Sequence, residues 1–320
     1  LVCRAMGDIA SSVDEFTRLV AAAAEAGDVA LQVRALLYQA EQMAWNDTER
    51  CLAVLEQALG LAEAAGDEEG RLQARGYLGY LRATRRRWSD EDAEACLAAA
   101  RSAGAAVVPW PNRVGYMLGL RSEHRAVCAI AQAGISRALR VGDVALYLNL
   151  HYVWSLSLCA LGELGEAIDV ALRGLDTAER NGHHLWGCLL RVALGHCYER
   201  ACAFTLARRY SREAAEVAQR TLPIGRALRS LALTLKGLVL LGTSEPQPAL
   251  LQLQAVPKGD LNDIGQRAMF DYALGECWLA LGDPARANTT GGQLIAQVEA
   301  MGDRSMLALA HRLRARAALA

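Results

Sequence analysis

A run of histidines and cysteines is the feature of this sequence that most resembles a metal site. It comprises His183, His184, Cys188, His196, Cys197 and Cys202. His184 and Cys188 are four residues apart, so they can share a helix face, and zinc sites use such spacings. A structural zinc ion needs four converging ligands, whereas His196 and Cys197 point in different directions on a helix. We therefore predict no metal here and interpret the run as a polar turn followed by core and groove residues.

The usual signatures of catalysis are missing from the sequence. There is no phosphate-binding GxxxxGK[ST] loop, no GxGxxG after a strand, no HExxH and no GxSxG. Nine cysteines are scattered without a CxxC pair, which suits reduced, buried thiols in a cytosolic protein. We expect a cytoplasmic protein that is not an enzyme and holds no cofactor.

Charge gives little support for nucleic acid or membrane as a partner. The formal net charge is −1, and the only basic run, Arg85 to Trp88, is followed at once by acidic residues. Nucleic-acid binding requires a wider basic stripe with stacking aromatics. The most lipid-like stretch noted, Leu231 to Leu241, is short and carries Lys236. We expect this chain neither to bind nucleic acid directly nor to enter a membrane.

Composition predicts a helical chain. Hydrophobic residues reach 53%, with alanine prominent among them, while aromatic residues supply only 6%. Alanine, leucine, arginine, glutamate and glutamine favour helices, and β-branched or aromatic runs typical of strands are scarce. Small side chains also let helices approach each other closely. The fold class predicted is all-α.

A Gly-Asp dipeptide recurs between the predicted helices. Gly27-Asp28, Gly66-Asp67, Gly142-Asp143 and Gly302-Asp303 are the clearest copies. Glycine can adopt the left-handed conformation that ends a helix, and the aspartate after it can cap the next helix. Each copy therefore predicts a tight helix–helix junction.

The junctions recur with a fixed period. From the middle of the chain they fall every 40 residues, at 142, 182, 222, 262 and 302, and the earlier ones at 27, 66 and 104 are 38 or 39 apart. A second breaker lies about twenty residues before most junctions, at Asn46, Ser122, Gly162, Gly242 and Gly282. A fixed period of this length indicates an array of repeats. Each unit is predicted to be a helix, a turn, a second helix and a turn.

Aligned on this period, the units share a pattern. One contains Leu161-Gly162, another Leu194-Gly195 with Tyr198, and a third Leu274-Gly275 with Trp278. These residues resemble the tetratricopeptide signature of Leu-Gly, an aromatic residue, a turn glycine and small residues in the second helix. The resemblance implies a right-handed α-α superhelical solenoid of about seven to eight helix pairs, forming one domain over residues 1–320. Units before residue 105 depart further from the pattern.

A repeat of 40 residues is longer than the standard 34. Such long units resemble the sensor regions of MalT-like bacterial transcriptional regulators (the LuxR-type, ATP-dependent kind) and of related signalling ATPases. The unpartnered helices predicted at both ends fit a segment of a larger multidomain protein. In regulators of this kind a nucleotide-binding module precedes the array, so that resemblance implies sensing rather than catalysis.

In a tetratricopeptide array the first helix of each pair lines the concave face. Residues 40 apart on successive first helices should then form ladders across that face, which we predict to be the binding site. The predicted site residues are Tyr116, Asn149, Tyr152, His196, Arg229, Lys236, Tyr272 and Glu276. A mixed polar and aromatic lining suits a peptide, a partner helix or a polar small molecule. The alternative for each tyrosine is packing between adjacent helices.

Two functions are carried forward from the sequence. The first is a sensor or interaction array in a bacterial signal-transduction ATPase or transcriptional regulator, which binds a protein, a peptide or a small-molecule effector. The alternative is a free-standing adaptor that binds protein partners in an assembly complex. Homo-oligomerisation is compatible with either.

Overall fold

The structure is a computed structural model that describes residues 9–44, 47–85, 89–103, 111–220, 225–257, 260–261 and 263–320. These residues form helices, turns and no strand. Their contacts divide the chain into two compact units, Leu1–Met117 and Leu118–Ala320. The all-α prediction is confirmed, and the prediction of a single domain over residues 1–320 stays a prediction.

Sixteen helices are described. The first unit contains α1 (Ile9–Glu25), α2 (Val29–Met43), α3 (Thr48–Ala65), α4 (Glu68–Arg85), α5 (Asp90–Ala103) and most of α6 (Pro111–Leu120). The second unit contains α7 (His124–Val141), α8 (Val144–Leu161), α9 (Leu164–Arg180), α10 (His184–Arg200), α11 (Phe204–Arg220), α12 (Gly225–Gly242), α13 (Pro246–Gln254), α14 (Ile264–Ala280), α15 (Pro284–Met301) and α16 (Arg304–Leu319).

The helices pack as a solenoid of pairs. Consecutive helices make the main contacts, and several first helices also pack on the first helix of the next pair. In the second unit this gives the series α8, α10, α12, α14 and α16, and in the first unit α2 contacts α4 in the same way. Contacts that are almost all between near neighbours are the mark of a repeat array. The predicted α-α solenoid is confirmed.

The Gly-Asp dipeptides between helices have the predicted geometry. Gly142 has a left-handed φ of 69°, and its N–H donates to carbonyls of the last turn of α7. The carboxylate of Asp143 then accepts the backbone N–H of Leu146 at 2.9 Å, which caps α8. Asp28, Asp283 and Asp303 cap their helices likewise. Glycine ends one helix because only glycine takes this φ without strain, and aspartate begins the next.

One predicted breaker is misplaced. Gly242 was expected to end its helix, but the left-handed residue is Ser244, with a φ of 60°, and Gly242 is still the last residue of α12. Its lack of a side chain serves packing instead, because a Cβ there would overlap the ring of Phe204. Ser122, Gly162 and Gly282 do have positive φ, as predicted. Asn46, Arg86–Trp88, Gly104, Leu222 and Asn262 lie outside the described residues.

The small residues of the repeat sit at close contacts. A Cβ on Gly195 would lie 2.6 Å from Cδ2 of Leu235 in the next first helix, and 3.5 Å from the backbone nitrogen of Ser211 in its own partner helix. A Cβ on Gly275 would likewise meet Leu313 in the next first helix and Thr290 in its own partner helix. The sequence predicted contact within the pair, and the structure adds contact between pairs.

Helix α8 is a longer apolar stretch than Leu231 to Leu241, which the sequence indicates as the most lipid-like. Val144–Leu161 has 18 residues without a charged side chain and is, in the described part of the chain, the one helix long and apolar enough to span a membrane. Half of it is buried, in contact with α7, α9 and α10. Buried core helices meet the same criteria of length and composition.

Candidate binding face of the second unit

Ladder positions of α14 and α16 are in direct contact. Nη2 of Arg312 donates to the hydroxyl of Tyr272 at 2.5 Å, and Nη1 of Arg316 donates to Oε2 of Glu276 at 2.6 Å. In both pairs the residues are 40 positions apart. Side chains at the repeat period therefore do face the same side of neighbouring first helices, and we call this side of the second unit its inner face.

The side chains of Glu276 and Tyr272 are largely shielded from solvent. The side chain of Glu276 is only 14% exposed, and its second oxygen, Oε1, is buried without a hydrogen-bond partner among the described residues. Burial, together with the negative charge of Glu276, raises the pKa of Tyr272 to about 12. The tyrosine is thus a neutral hydrogen-bonding group at any physiological pH, and Oε1 of Glu276 is a buried acceptor without a donor among the described residues.

Two further groups come from α10. Burial, with a smaller effect of the positive charge of Arg200, lowers the pKa of His196 to about 4, so its imidazole is neutral at pH 7. Its Nδ1 lies 3.9 Å from Oε2 of Glu199 and has no hydrogen-bond partner in the described residues. Burial raises the pKa of Glu199, while the charges of Arg200 and Arg312 lower it. Arg312 belongs to α16, so a charge of another first helix acts on this carboxylate.

Helix α12 offers only two side chains to solvent along most of its length. From residue 227 to residue 240, every residue is buried except Arg229 and Lys236. Lys236 occupies the ladder position between His196 and Glu276, and neither cation has an ion-pair partner among the described residues. These two positive charges are the accessible surface of this stretch of α12.

The other predicted site residues are less available. On α8, Tyr152 is half-buried, whereas Asn149 is buried with 9% of its surface exposed. Tyr116 belongs to the first unit, where its ring packs edge-on against Tyr80 with the centroids 6.1 Å apart. The inner face of the second unit thus includes Tyr152, His196, Arg229, Lys236, Tyr272 and Glu276 from the predicted set.

The second unit closes on itself. The backbone N–H of Ser305 donates to Oγ of Ser122 at 3.2 Å, and Oγ of Ser122 lies 3.5 Å from the carboxylate of Asp303. Ser122 lies in the turn before α7, whereas Asp303 caps α16 and Ser305 is in its first turn, more than 180 positions away. Since the intervening helices contact mainly their neighbours, the two ends meet only if the pairs between them complete a turn. The first helices therefore enclose the inner face.

This closure predicts that cysteines can lock the ring. In the double variant Ser122→Cys/Ser305→Cys we expect a disulfide under mild oxidation, because the two Oγ atoms are 3.5 Å apart. The bond closes a very long loop and should raise the free energy of unfolding by about 2 kcal/mol or more. Non-reducing mass spectrometry and thermal unfolding would measure both effects. Each single variant is the control, and a double variant that stays reduced would contradict the closure.

Comparisons with known proteins identify a fold and no family. No family model matches the chain, and no curated protein does. Among solved structures, 29 chains match. One of them is described as the crystal structure of a Rap protein complexed with competence and sporulation factor; it matches with a TM-score of 0.58 and 11% sequence identity, over 98% of each chain. At this identity the match shows a shared helical-repeat fold alone.

The structure does not assemble the histidine–cysteine run into a site. Cys188 is buried and its thiol donates to the carbonyl of Ala214 at 3.3 Å, while His184 and Cys202 are exposed. No group of three or more candidate ligands converges in the described part of the chain. Eight cysteines are described, and all eight are free thiols.

Sequence reasoning missed three residues of the inner face: Glu199, Arg312 and Arg316. The ladders were ended at residue 276, although one more step of 40 reaches Arg312 from Tyr272 and Arg316 from Glu276. The 40-residue spacing alone could therefore have predicted both arginines. Glu199 lies outside the ladders, three residues after His196, and its part in the face depends on the approach of Arg312.

Proposed function

We propose that this chain is a non-catalytic binding and sensor module, and that the inner face of its second unit receives a protein or peptide partner or a small-molecule effector. The observation that carries the proposal is the enclosed inner face itself. It gathers unpaired cations, a neutral imidazole and a carboxylate oxygen without a partner. Unsatisfied polar groups around a concavity are typical of a recognition site.

The wider setting proposed is a cytoplasmic, bacterial signal-transduction ATPase or transcriptional regulator of the MalT-like kind. Repeats of 40 residues and the absence of catalytic motifs from the sequence support it. A structural relative of the same fold is described in complex with a signalling factor, which is consistent with partner binding by such arrays. A P-loop module encoded upstream in the same reading frame would support the regulator, and a start codon close to residue 1 would oppose it.

The alternative, a free-standing adaptor, predicts a different kind of ligand. A thermal-shift screen with small metabolites and a pull-down from cell extract would be run on the same protein. A metabolite that raises the unfolding temperature favours a sensor, whereas a specific protein partner without any metabolite favours an adaptor.

The site itself is tested by substitution. We expect the double variant Tyr152→Ala/Lys236→Ala to weaken whichever ligand the screen finds by at least about tenfold, since it removes an aromatic contact and a charge from the inner face. Arg137→Gln/Arg140→Gln, two exposed arginines of the second helix α7, is the matched control. Unchanged affinity in the inner-face variant, with its fold intact by circular dichroism, would reject the inner face as the site.

A further inference from the structure

Between residues 227 and 240, the accessible surface of α12 consists of two cations on one face of the helix, and the exposed Arg226 adds a third positive charge one turn before Arg229. Arg229 and Lys236 are seven residues apart, which is close to two helical turns and about 10.5 Å along the axis. No acidic residue occurs anywhere in Gly225–Gly242, and the buried positions around the two cations are apolar or small. Neither cation can be neutralised from its own helix.

Neighbouring helices leave these charges uncompensated as well. The nearest acidic group on the ladder, Glu276, is already paired with Arg316 at 2.6 Å, and the pKa of Glu199 on α10 is influenced by Arg200 and Arg312. His196, one ladder step from Lys236, is neutral at pH 7 and adds no charge of its own. Other arginines of the described second unit do have carboxylate partners, as Arg191 has Glu179 and Arg208 has Glu245.

The charge of the whole unit has the same sign. Residues 118–320 contain 22 Lys and Arg against 18 Asp and Glu, a formal charge of +4, although the complete chain carries −1. Cations inside a concavity with low-dielectric walls produce a stronger local field than the same cations on a convex surface. The inner face is therefore suited to an anion rather than to a cation.

We propose, resting on the function proposed above, that the inner face of the second unit binds an acidic peptide segment whose two carboxylates pair with Arg229 and Lys236. An extended peptide rises about 3.3 Å per residue, so carboxylates two to four positions apart can reach the two cations. Tyr152 and Tyr272 lie on the neighbouring ladder, where their rings and hydroxyl groups can contact the peptide backbone.

Arginine and lysine divide the recognition between them. The guanidinium of Arg229 can bind a carboxylate with two parallel N–H donors, whereas the ammonium of Lys236 acts as a point charge of flexible reach. Neutral His196 beside Lys236 can donate or accept one further hydrogen bond without repelling either partner. A phosphate group could satisfy the same cations, so the experiment includes phosphate-bearing probes.

The test is a peptide-display selection against the intact chain. A library of random nine-residue peptides is selected against wild type, against Arg229→Gln/Lys236→Gln and against the matched control Arg137→Gln/Arg140→Gln. We expect wild type and control to enrich peptides with two Asp or Glu residues two to four positions apart. Affinities of the enriched peptides should fall about tenfold in each single inner-face variant and about a hundredfold in the double variant.

Lysine acylation provides a second readout that does not depend on the variants. The chain has only two lysines, Lys236 and Lys258, so mass spectrometry can follow the modification of each. We expect a selected acidic peptide to protect Lys236 and to leave the acylation of Lys258 unchanged. The same peptide with Gln in place of each acidic residue should protect Lys236 at least about tenfold less.

Each remaining outcome contradicts a definite part of the proposal. If neutral or basic peptides protect Lys236, the inner face is a binding site but does not select acidic peptides. Acidic peptides that bind the double variant as tightly as wild type would place their site elsewhere. Protection by ATP or inorganic pyrophosphate, with none by peptides, would reject the peptide class, and no protection by any probe would reject the binding face as well.

Discussion

Replacement of Arg113 by alanine is expected to lower the free energy of unfolding of the first unit by about 3 to 5 kcal/mol. Arg113 lies on α6 and is only 7% exposed. Its guanidinium carbon is 3.5 Å above the ring of Tyr77, which is fully buried, and Nη2 is 3.7 Å from a carboxylate oxygen of Glu41. The alanine variant would lose the packing on Tyr77 and the cation that faces Glu41 at the same time.

Two control variants separate charge from packing. Arg113→Met keeps most of the apolar side-chain volume beside Tyr77 and removes the guanidinium group with its charge, so it should cost about half as much as alanine. Arg82→Ala breaks an ion pair with Glu56 in which both side chains are about half exposed, and should cost less than about 1 kcal/mol. Urea unfolding would give the free energies, and hydrogen exchange would assign the loss to α2, α4 and α6. A cost for Arg113→Ala no greater than that for Arg82→Ala would contradict a structural role.

The repeat could be predicted from sequence because its determinants are local. A glycine with a left-handed φ and an aspartate that caps the next helix are short-range features, and Gly142 with Asp143 shows both. The inner-face ladders follow from the period alone, as the contact of Tyr272 with Arg312 shows. Ser244 was missed because a serine carries no strong turn signal beside Gly242.

Burial and closure could not be predicted in this way. Asn149 and Tyr152 are one helical turn apart, yet the first is buried and the second half-buried, which depends on how closely the neighbouring helices approach. The contact of Ser122 with Ser305 results from small rotations summed over all the pairs between them. An arginine such as Arg113 also gives no sign in the sequence that it is buried over a tyrosine. These features depend on tertiary geometry rather than on the pattern of residue types.

Gly79→Ala is expected to destabilise the first unit by about 3 kcal/mol, because α4 and α5 touch at this position. A Cβ on Gly79 would overlap the backbone carbonyl oxygen of Asp92 and would lie 3.0 Å from the backbone nitrogen of Cys96. Backbone atoms within a helix cannot turn aside as a flexible side chain can. The added methyl group would therefore push α5 away from α4 and disturb the core below, where Tyr77 and Leu78 are buried.

The matched control is the same substitution at Gly60, on α3. That glycine is exposed, and a Cβ there would meet no atom within 4 Å. Gly60→Ala should raise the free energy of unfolding by about 0.5 to 1 kcal/mol, since alanine restricts the unfolded chain and favours the helix. Opposite signs for the two variants in urea unfolding would show that contact between helices, and not helix propensity, determines the effect at Gly79. A stabilising or neutral Gly79→Ala would mean that α4 and α5 can separate at little cost, and the close approach of paired helices would then not be what holds this unit together.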